Sequence, residues 1–502
     1  METIIQRYKD QIAGVLRSYD RMVFTGTLPQ VGNAKQMTSY LYGQGIRIFD
    51  YPQYAMGIRD KIKKHVEELA QQWGIEIEYI RQSGVRKEDL IEKKIKERGN
   101  QERLIHILSV LEGCTSFKPW HDKASHKTYL KTEQGKCLVY YFYFKDAMLG
   151  HGYLRLPTYL PLRLQVYFNG HGWLEKRLQE KGIGYRMMDN AFVEIDHWGK
   201  AQKLADGMNV SEIHRRLDKI AYQYCPVYKT FKQRYHWSIM QCEYATDIVF
   251  KRQQDLQPVY AGLINKAIQS VKPDNISTFL GKRIYANYEG EVGNNYHVRI
   301  EGSRIKHNMG NTSIKLYDKF GHILRVETTV NDVTFFKHYR RVEHRDGSST
   351  YQDAAIKKNI YSLTPLQEIL NACNSRYIEF ISTIEDNTIG QKKLEKLTVT
   401  KKEKDRNYRG INPFNPEDKM IIQTITRGEF NIHGLRSQDL LIHLKGFSKN
   451  KISRVIKRLR VLGIIKKVAN SYRYYLTTFG KCVIISIQKL INMVFIPELA
   501  TY

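Results

Sequence analysis

The stretch 448–476 constrains the fold more tightly than any other part of this 502-residue chain. Its first half, SKNKISRVIKRLRVLG, repeats apolar residues at helical spacing, so Ile452, Val455, Ile456, Leu459 and Leu462 share one face. Ser448 stands where a helix is capped and Gly463 where one closes. The other faces carry Lys449, Lys451, Arg454, Lys457, Arg458 and Arg460. Residues 464–468 and 472–476 then read as two short strands around Ala469, Asn470 and Ser471, with Lys466, Lys467 and Arg473 on them. Upstream, Pro416 opens a helix to 427 and Ser437 caps another to 443. A helix divided this way docks its apolar stripe on neighbours and leaves its cations outside.

Three helices and a basic hairpin predict a C-terminal winged helix-turn-helix over 414–502, its third helix lying in a DNA major groove. The run KISRVIKRLRVLGIIKKV resembles the winged helix of MarR-type regulators, and the whole-chain pattern resembles uncharacterised bacterial proteins labelled MarR-like. That resemblance implies DNA as partner, contacted by Lys449, Lys451, Arg454, Lys457, Arg458, Lys466, Lys467 and Arg473. The competing reading is a solvated charged helix in a protein-binding module. Charge favours the nucleic acid: 80 Lys and Arg against 51 Asp and Glu give +29, which concentrates polyanions and releases their counterions on contact. No apolar run is long enough to span a bilayer. The charged N-terminal stretch lacks a signal-peptide core, and six scattered cysteines form no CxxC pair, so the expected setting is the reducing cytoplasm, without a membrane.

The rest of the chain reads as α+β and α/β. Residues 1–113 alternate strand-like runs (15–28, 46–51, 75–80, 104–111) with helical ones (34–44, 54–74, 87–98), which predicts an N-terminal parallel α/β layer. Central β-hairpin-rich lobes follow, one over 114–236 and a second α+β lobe with helices over 237–389. A Lys-rich linker over 390–413 leads to the C-terminal domain. The blocks 138–158 and 312–329 share a strand, a Gly-bearing turn and a strand with Leu-Arg-x-x-Thr, compatible with a duplication or with chance likeness between hairpins.

Within 313–330, SIKLYDKFGHILRVETTV, the Ile-x-x-Tyr-Asp-Lys and Arg-x-Glu strands are similar to those of rolling-circle replication initiators and relaxases. The resemblance implies a metal-dependent DNA nicking or strand-transfer enzyme of a mobile element or replicon. Glu327 and Asp318 become metal ligands, with Arg325 and Lys319 beside them and Mg²⁺ as cofactor. A carboxylate-bound Mg²⁺ polarises the scissile phosphate. The family's His-hydrophobe-His pair is missing from the sequence, and Tyr339 stands either as nucleophile or as a phosphate contact.

Two loops add candidates. The run 114–130 holds Lys118, Trp120, His121, Asp122 and Lys123, suited to general-base work or to gripping phosphate. His171 lies between two glycines that permit close approach to a ligand. Acidic residues on strands, Asp20 among them, offer a further two-metal arrangement. A body binding structured RNA in a ribonucleoprotein and a non-catalytic DNA-binding regulator are the alternative functions. No GxxxxGK[ST] motif is present, which argues against ATP-driven work.

Overall fold

The computed structural model describes residues 3–500 except 83, 99–100, 286–287, 300–301, 386–393 and 470. Two compact units form, Met1–Glu385 and Asp386–Tyr502. The chain is mixed α and β, and the first unit is organised by one sheet. Its strands are β1 (Ile12–Thr27), β2 (Ile77–Ile80), β3 (Arg103–Asp122), β4 (Lys127–Asp146), β5 (Gly150–Pro157), β6 (Leu164–Asn169), β9 (His236–Phe250), β10 (Val292–Arg299), β11 (Gly302–Met309), β12 (Thr312–Lys319) and β13 (Ile323–Val330), in the order β10-β11-β12-β13-β9-β1-β6-β5-β4-β3-β2. A separate hairpin joins β7 (Tyr185–Met188) to β8 (Ala191–Ile195).

Long strands rich in Tyr, Phe, Val and Ile explain the sheet's extent, since such side chains pack well on a pleated surface. The parallel N-terminal layer does not form. Among the described residues only β2 and β3 run parallel, whereas β1 pairs antiparallel with β6 and β9. The expected strand 46–51 is a 3-10 turn, Ile48–Asp50, leading into helix Tyr51–Trp73, whose Pro52 fits a helix's first turn. The three expected divisions of residues 1–389 share this one sheet, so they are not separate domains.

The topology repeats. β1 precedes the meander β3–β6, whose last strand returns beside β1; β9 precedes β10–β13, whose last strand returns beside β9. The two halves meet antiparallel at β1 and β9. The sequence echo is offset by one strand, because it matches β4–β5 with β12–β13 while topology matches β5–β6 with β12–β13. Strand alternation assigns the two faces. On one, Phe142, Leu154, Val166, Phe168, Met22, Phe24, Ile248, Val326 and Leu316 form the main core with helices including Tyr51–Trp73, Val210–Tyr224 and Leu363–Glu385. Tyr224 stacks on Phe142 at 4.9 Å. The opposite face carries most of the sheet's charged groups. Helix Lys87–Arg98 covers one end of it, packing Ile91 with Leu108, Tyr141 and Tyr143. The β7–β8 hairpin and Trp198 cover Val249 and Ile323.

In the second unit, helices Pro416–Ile425, Gly428–His433, Ser437–His443 and Lys449–Val461 precede a hairpin of β18 (Ile465–Lys467) and β19 (Tyr474–Leu476), and Leu435 bridges to Tyr474. Ile452, Val455, Ile456 and Leu459 are buried with Ile421, Ile425 and Leu440, as the helical spacing requires. The expected linker is partly structured: β16 (Lys401–Glu403) pairs with β17 (Arg406–Tyr408), and Leu397 and Ile411 join this core. Residues 390–393 of it lie outside the described residues.

Candidate functional site

Four strands and one helix start bring charged groups together at the sheet's centre. Opposite Arg325 on β13 stands Asp247 on β9; Glu327 pairs with Ala245 and Thr329 with Glu243. On the far side of β13, Lys315 and Tyr317 of β12 face Glu327 and Arg325. Alternation places all of these on the polar face. β1 supplies Asp20 through an irregularity: its register shifts between Tyr19 and Met22, so that consecutive residues Asp20 and Arg21 reach the same face. Arg21 Nε donates to Gln241 Oε1 at 3.2 Å, while Asp20 turns toward β13.

The cluster has two parts. In the inner one, Arg325 donates through Nε and Nη2 to Asp247 (2.6 and 2.7 Å) and through Nη1 to Asp20 (2.7 Å), all three being buried. His171 lies 3.3 Å from Asp20 and 3.5 Å from Asp247. Gly170 permits this, because a Cβ there would stand 2.1 Å from the Tyr19 carbonyl oxygen. Asn169 caps the helix through the His171 amide and also donates to Asp20 at 2.6 Å. Burial would raise the carboxyls of Asp20 and Asp247, but Arg325 and His171 hold both well below the usual carboxylate range. Burial would lower His171, yet hydrogen bonds to the two aspartates raise it.

In the outer part, Lys315 Nζ donates to Glu243 at 3.0 Å and to Glu327 at 2.6 Å. Tyr317 donates to the other Glu327 oxygen at 2.7 Å, and Thr329 to Glu243 at 2.9 Å. Burial, then repulsion from Glu327, pushes the Glu243 carboxyl up. Lys315 is raised: burial lowers it, but Glu327 and Glu243 more than compensate. Two carboxylates thus share one ammonium, which leaves local negative charge. Carboxylate oxygens of Asp20, Glu243 and Glu327 lie within 4.8 Å of one another and could hold a metal ion. An octahedral ion with bonds of roughly 2.0–2.1 Å separates its donors by about 3–4 Å. The set must therefore draw together, and Lys315 must leave its place between Glu243 and Glu327, for an ion to bind. Nothing in this donor set singles out Mg²⁺.

Other expected site residues fall elsewhere. Asp318 alternates to the opposite face, where it accepts from Gly321 N (2.9 Å) and Gln257 Nε2 (3.0 Å) as a turn residue. Lys319 reaches the cluster's edge, bonded to Asn190, its ammonium pushed down by burial and then by Arg325. Tyr339 is exposed on a small hairpin of β14 (Lys337–Glu343) and β15 (Ser349–Ala355), stacked on Tyr351 at 5.9 Å. His171 is buried, and the close approach that Gly170 allows is to β1 rather than to a ligand, while Gly172 lies beside the Leu149 carbonyl. The run 114–130 is no loop but the distal arm of the β3–β4 hairpin. There Lys118 pairs with Glu133, His121 contacts Thr128, Asp122 caps the turn at Ala124, Lys123 is exposed, and Trp120 lies under Lys131.

In the second unit Lys449, Arg454, Lys466, Lys467 and Arg473 are exposed. Lys451 pairs with Glu417 and Lys457 with Glu403. Arg458 is largely buried, bonded to both Asp418 oxygens (2.7 and 2.8 Å) and to the carbonyls of Arg409 and Gly410, so it holds the fold together.

Sequence reasoning reached Arg325 and Glu327, with Lys319 and His171 in other roles, and Asp20 as a lesser candidate. It missed Glu243, Asp247, Lys315 and Tyr317. The period-two placement of Glu243 and Asp247 in CEYATD was the available signal. The chain matches no protein-family model, no curated protein and no solved structure. Among the described residues no helix is long and apolar enough to cross a membrane.

Proposed function

We propose that this protein breaks or exchanges phosphodiester bonds in nucleic acid, using a divalent metal held by Asp20, Glu243 and Glu327. The observation that carries this reading is the convergence of those three carboxylates beside Lys315. A metal ion there would polarise the scissile phosphate and acidify an attacking water. The chain's own groups do the rest. Arg325 and Tyr317 fix Asp20 and Glu327, Thr329 orients Glu243, and Lys315, displaced from between two carboxylates, offers its ammonium to developing phosphate charge. The initiator-type hairpin enters this proposal through Glu327 and Arg325. With Asp318 turned away, Asp20 and Glu243 take the remaining ligand places. The cofactor is Mg²⁺ or Mn²⁺.

The second unit belongs to the same reading as a winged helix-turn-helix that anchors the chain on duplex DNA. Its support is the element order, the bridge from Leu435 to the hairpin and the exposed Lys449, Arg454, Lys466, Lys467 and Arg473. The test is cleavage by the full chain of labelled single-stranded DNA, duplex DNA and structured RNA, with Mg²⁺, with Mn²⁺ and with chelator. Metal-dependent product that disappears in Glu327→Gln supports the proposal. Product unaffected by chelator, or undiminished in the variant, contradicts it.

A further inference from the structure

Beside the carboxylates the polar face opens into a cleft between helix Lys87–Arg98 and the segment that begins at Gly170. Tyr143, Tyr153 and Tyr167, on β4, β5 and β6, are among its lining residues. The rings of Tyr153 and Tyr167 stack at 5.1 Å, and Tyr143 lies 5.4 Å from Tyr153. The cleft's inner end is built by Asn169 and Asn190, which donate to Asp20 at 2.6 and 3.4 Å. Through these two amides the cleft adjoins Asp20 of the carboxylate set. Its walls carry Glu88, Glu92, Glu175 and Asp189, and no Lys or Arg lines it among the described residues. Arg21 lies over the Tyr167 ring at 5.0 Å, next to Asp20 in sequence.

This lining selects which part of a nucleic acid can enter. Four carboxylates on its walls disfavour phosphate there, whereas the cations Arg21 and Lys319 stand at its inner end, over Tyr167 and bonded to Asn190. Tyr143 is buried and the Tyr167 ring packs against Tyr153 and Arg21, so an entering base would meet the half-buried Tyr153 and Tyr167 edge to face. Its exocyclic amino group would donate to carboxylate or amide oxygens. We propose that the cleft receives one unpaired, amino-bearing nucleobase (adenine, cytosine or guanine), so that the adjoining phosphate lies over Asp20, Glu243 and Glu327. This deepens the reading of the site as a phosphodiester centre and rests on it. It makes the substrate single-stranded, or a strand with a base drawn out of its stack.

The test is binding in chelator, where cleavage plays no part. Fluorescence anisotropy of the full chain is measured with short oligodeoxyadenylate, oligodeoxycytidylate, oligodeoxythymidylate and an abasic strand, and with the corresponding RNA. The adenine and cytosine strands should bind most tightly and the abasic strand about tenfold more weakly. The tighter of the DNA and RNA series names the natural polymer. Tyr167→Ala should erase the advantage over the abasic strand, while Tyr153→Phe, which keeps the ring, should retain it. Because Tyr167→Ala loosens packing, the exposed Asp189→Asn with Glu175→Gln provides a second arm: affinity for the adenine and cytosine strands falls toward that for thymine, while thymine binding is not weakened. Equal binding of all four strands, or an unchanged preference in both variants, overturns the inference. Base preference without metal-dependent cleavage refutes the phosphodiester reading alone, and cleavage without base preference refutes the cleft alone.

Discussion

Replacing Arg325 with Met removes the cation that holds two buried carboxylates. The side chain is fully buried and makes three charge-assisted hydrogen bonds, two to Asp247 and one to Asp20. Breaking one partner out of a buried ionic group costs about 3–5 kcal/mol, because the charges left behind lose both solvent and counter-charge. Unfolding entropy scales with length at roughly 2.1 cal/mol/K per residue, about 0.8 kcal/mol/K for a unit the size of Met1–Glu385. The expected fall in Tm is therefore about 4–6 °C at neutral pH. The sign with pH follows from the depressed carboxyls. Asp20 and Asp247 contribute stability above their unfolded values that is lost as pH falls through their folded ones. The variant lacks that contribution, so the gap to wild type should be widest above about pH 5 and should narrow in acid. Differential scanning calorimetry across this range reads both effects. A variant melting with wild type at neutral pH, or a gap that widens in acid, refutes the reasoning.

Other outcomes follow from the same geometry. His171 is raised by its two aspartates, so its protonated form contributes stability below its unfolded value and loses it as pH rises through the folded one. His171→Gln should therefore melt furthest below wild type in mildly acidic buffer, the difference shrinking in alkali; a constant difference excludes the linkage. Arg458→Ala should destabilise the second unit by about 2–3 kcal/mol, read as a lower denaturation midpoint, because the buried Asp418 keeps only Arg409 and the Asn412 amide as partners among the described residues. By contrast, Lys449, Arg454, Lys466 and Lys467 changed together to Gln should leave that midpoint unchanged. They should flatten the salt dependence of duplex binding by about 0.9 in log–log slope for each phosphate no longer neutralised.

How much of this was legible depended on the range over which each signal acts. Caps and spacing act within a few residues, and they located the helix Lys449–Val461 and its buried stripe. The β12–β13 hairpin was equally local, and it contains Arg325 and Glu327. Its pairing also carried an unused warning: Lys315 faces Glu327 and Tyr317 faces Arg325, while Asp318 faces Leu324 and so alternates away from them. What could not be read was the meeting of these residues with Asp20, His171, Glu243 and Asp247. That meeting depends on β9 and β1 lying side by side at the centre of the sheet, on the bulge at Asp20 and Arg21, and on the approach of Gly170 to Tyr19. Each is a tertiary event between segments far apart in sequence. The parallel layer was misread for a related reason: helices alternating with strands in 34–98 suggested crossovers, whereas the long β1 and β3 pair with strands supplied by later segments.

Isothermal titration of Mn²⁺ into the full-length chain, beside Glu327→Gln and Glu243→Gln, tests the central claim most directly. One saturable site is expected at neutral pH, abolished or severely weakened in both variants. It should also weaken in acid, because Glu243, whose carboxyl is raised by burial and by Glu327, must lose its proton to bind. No measurable binding by the wild-type chain, or equal binding by all three proteins, would contradict the account.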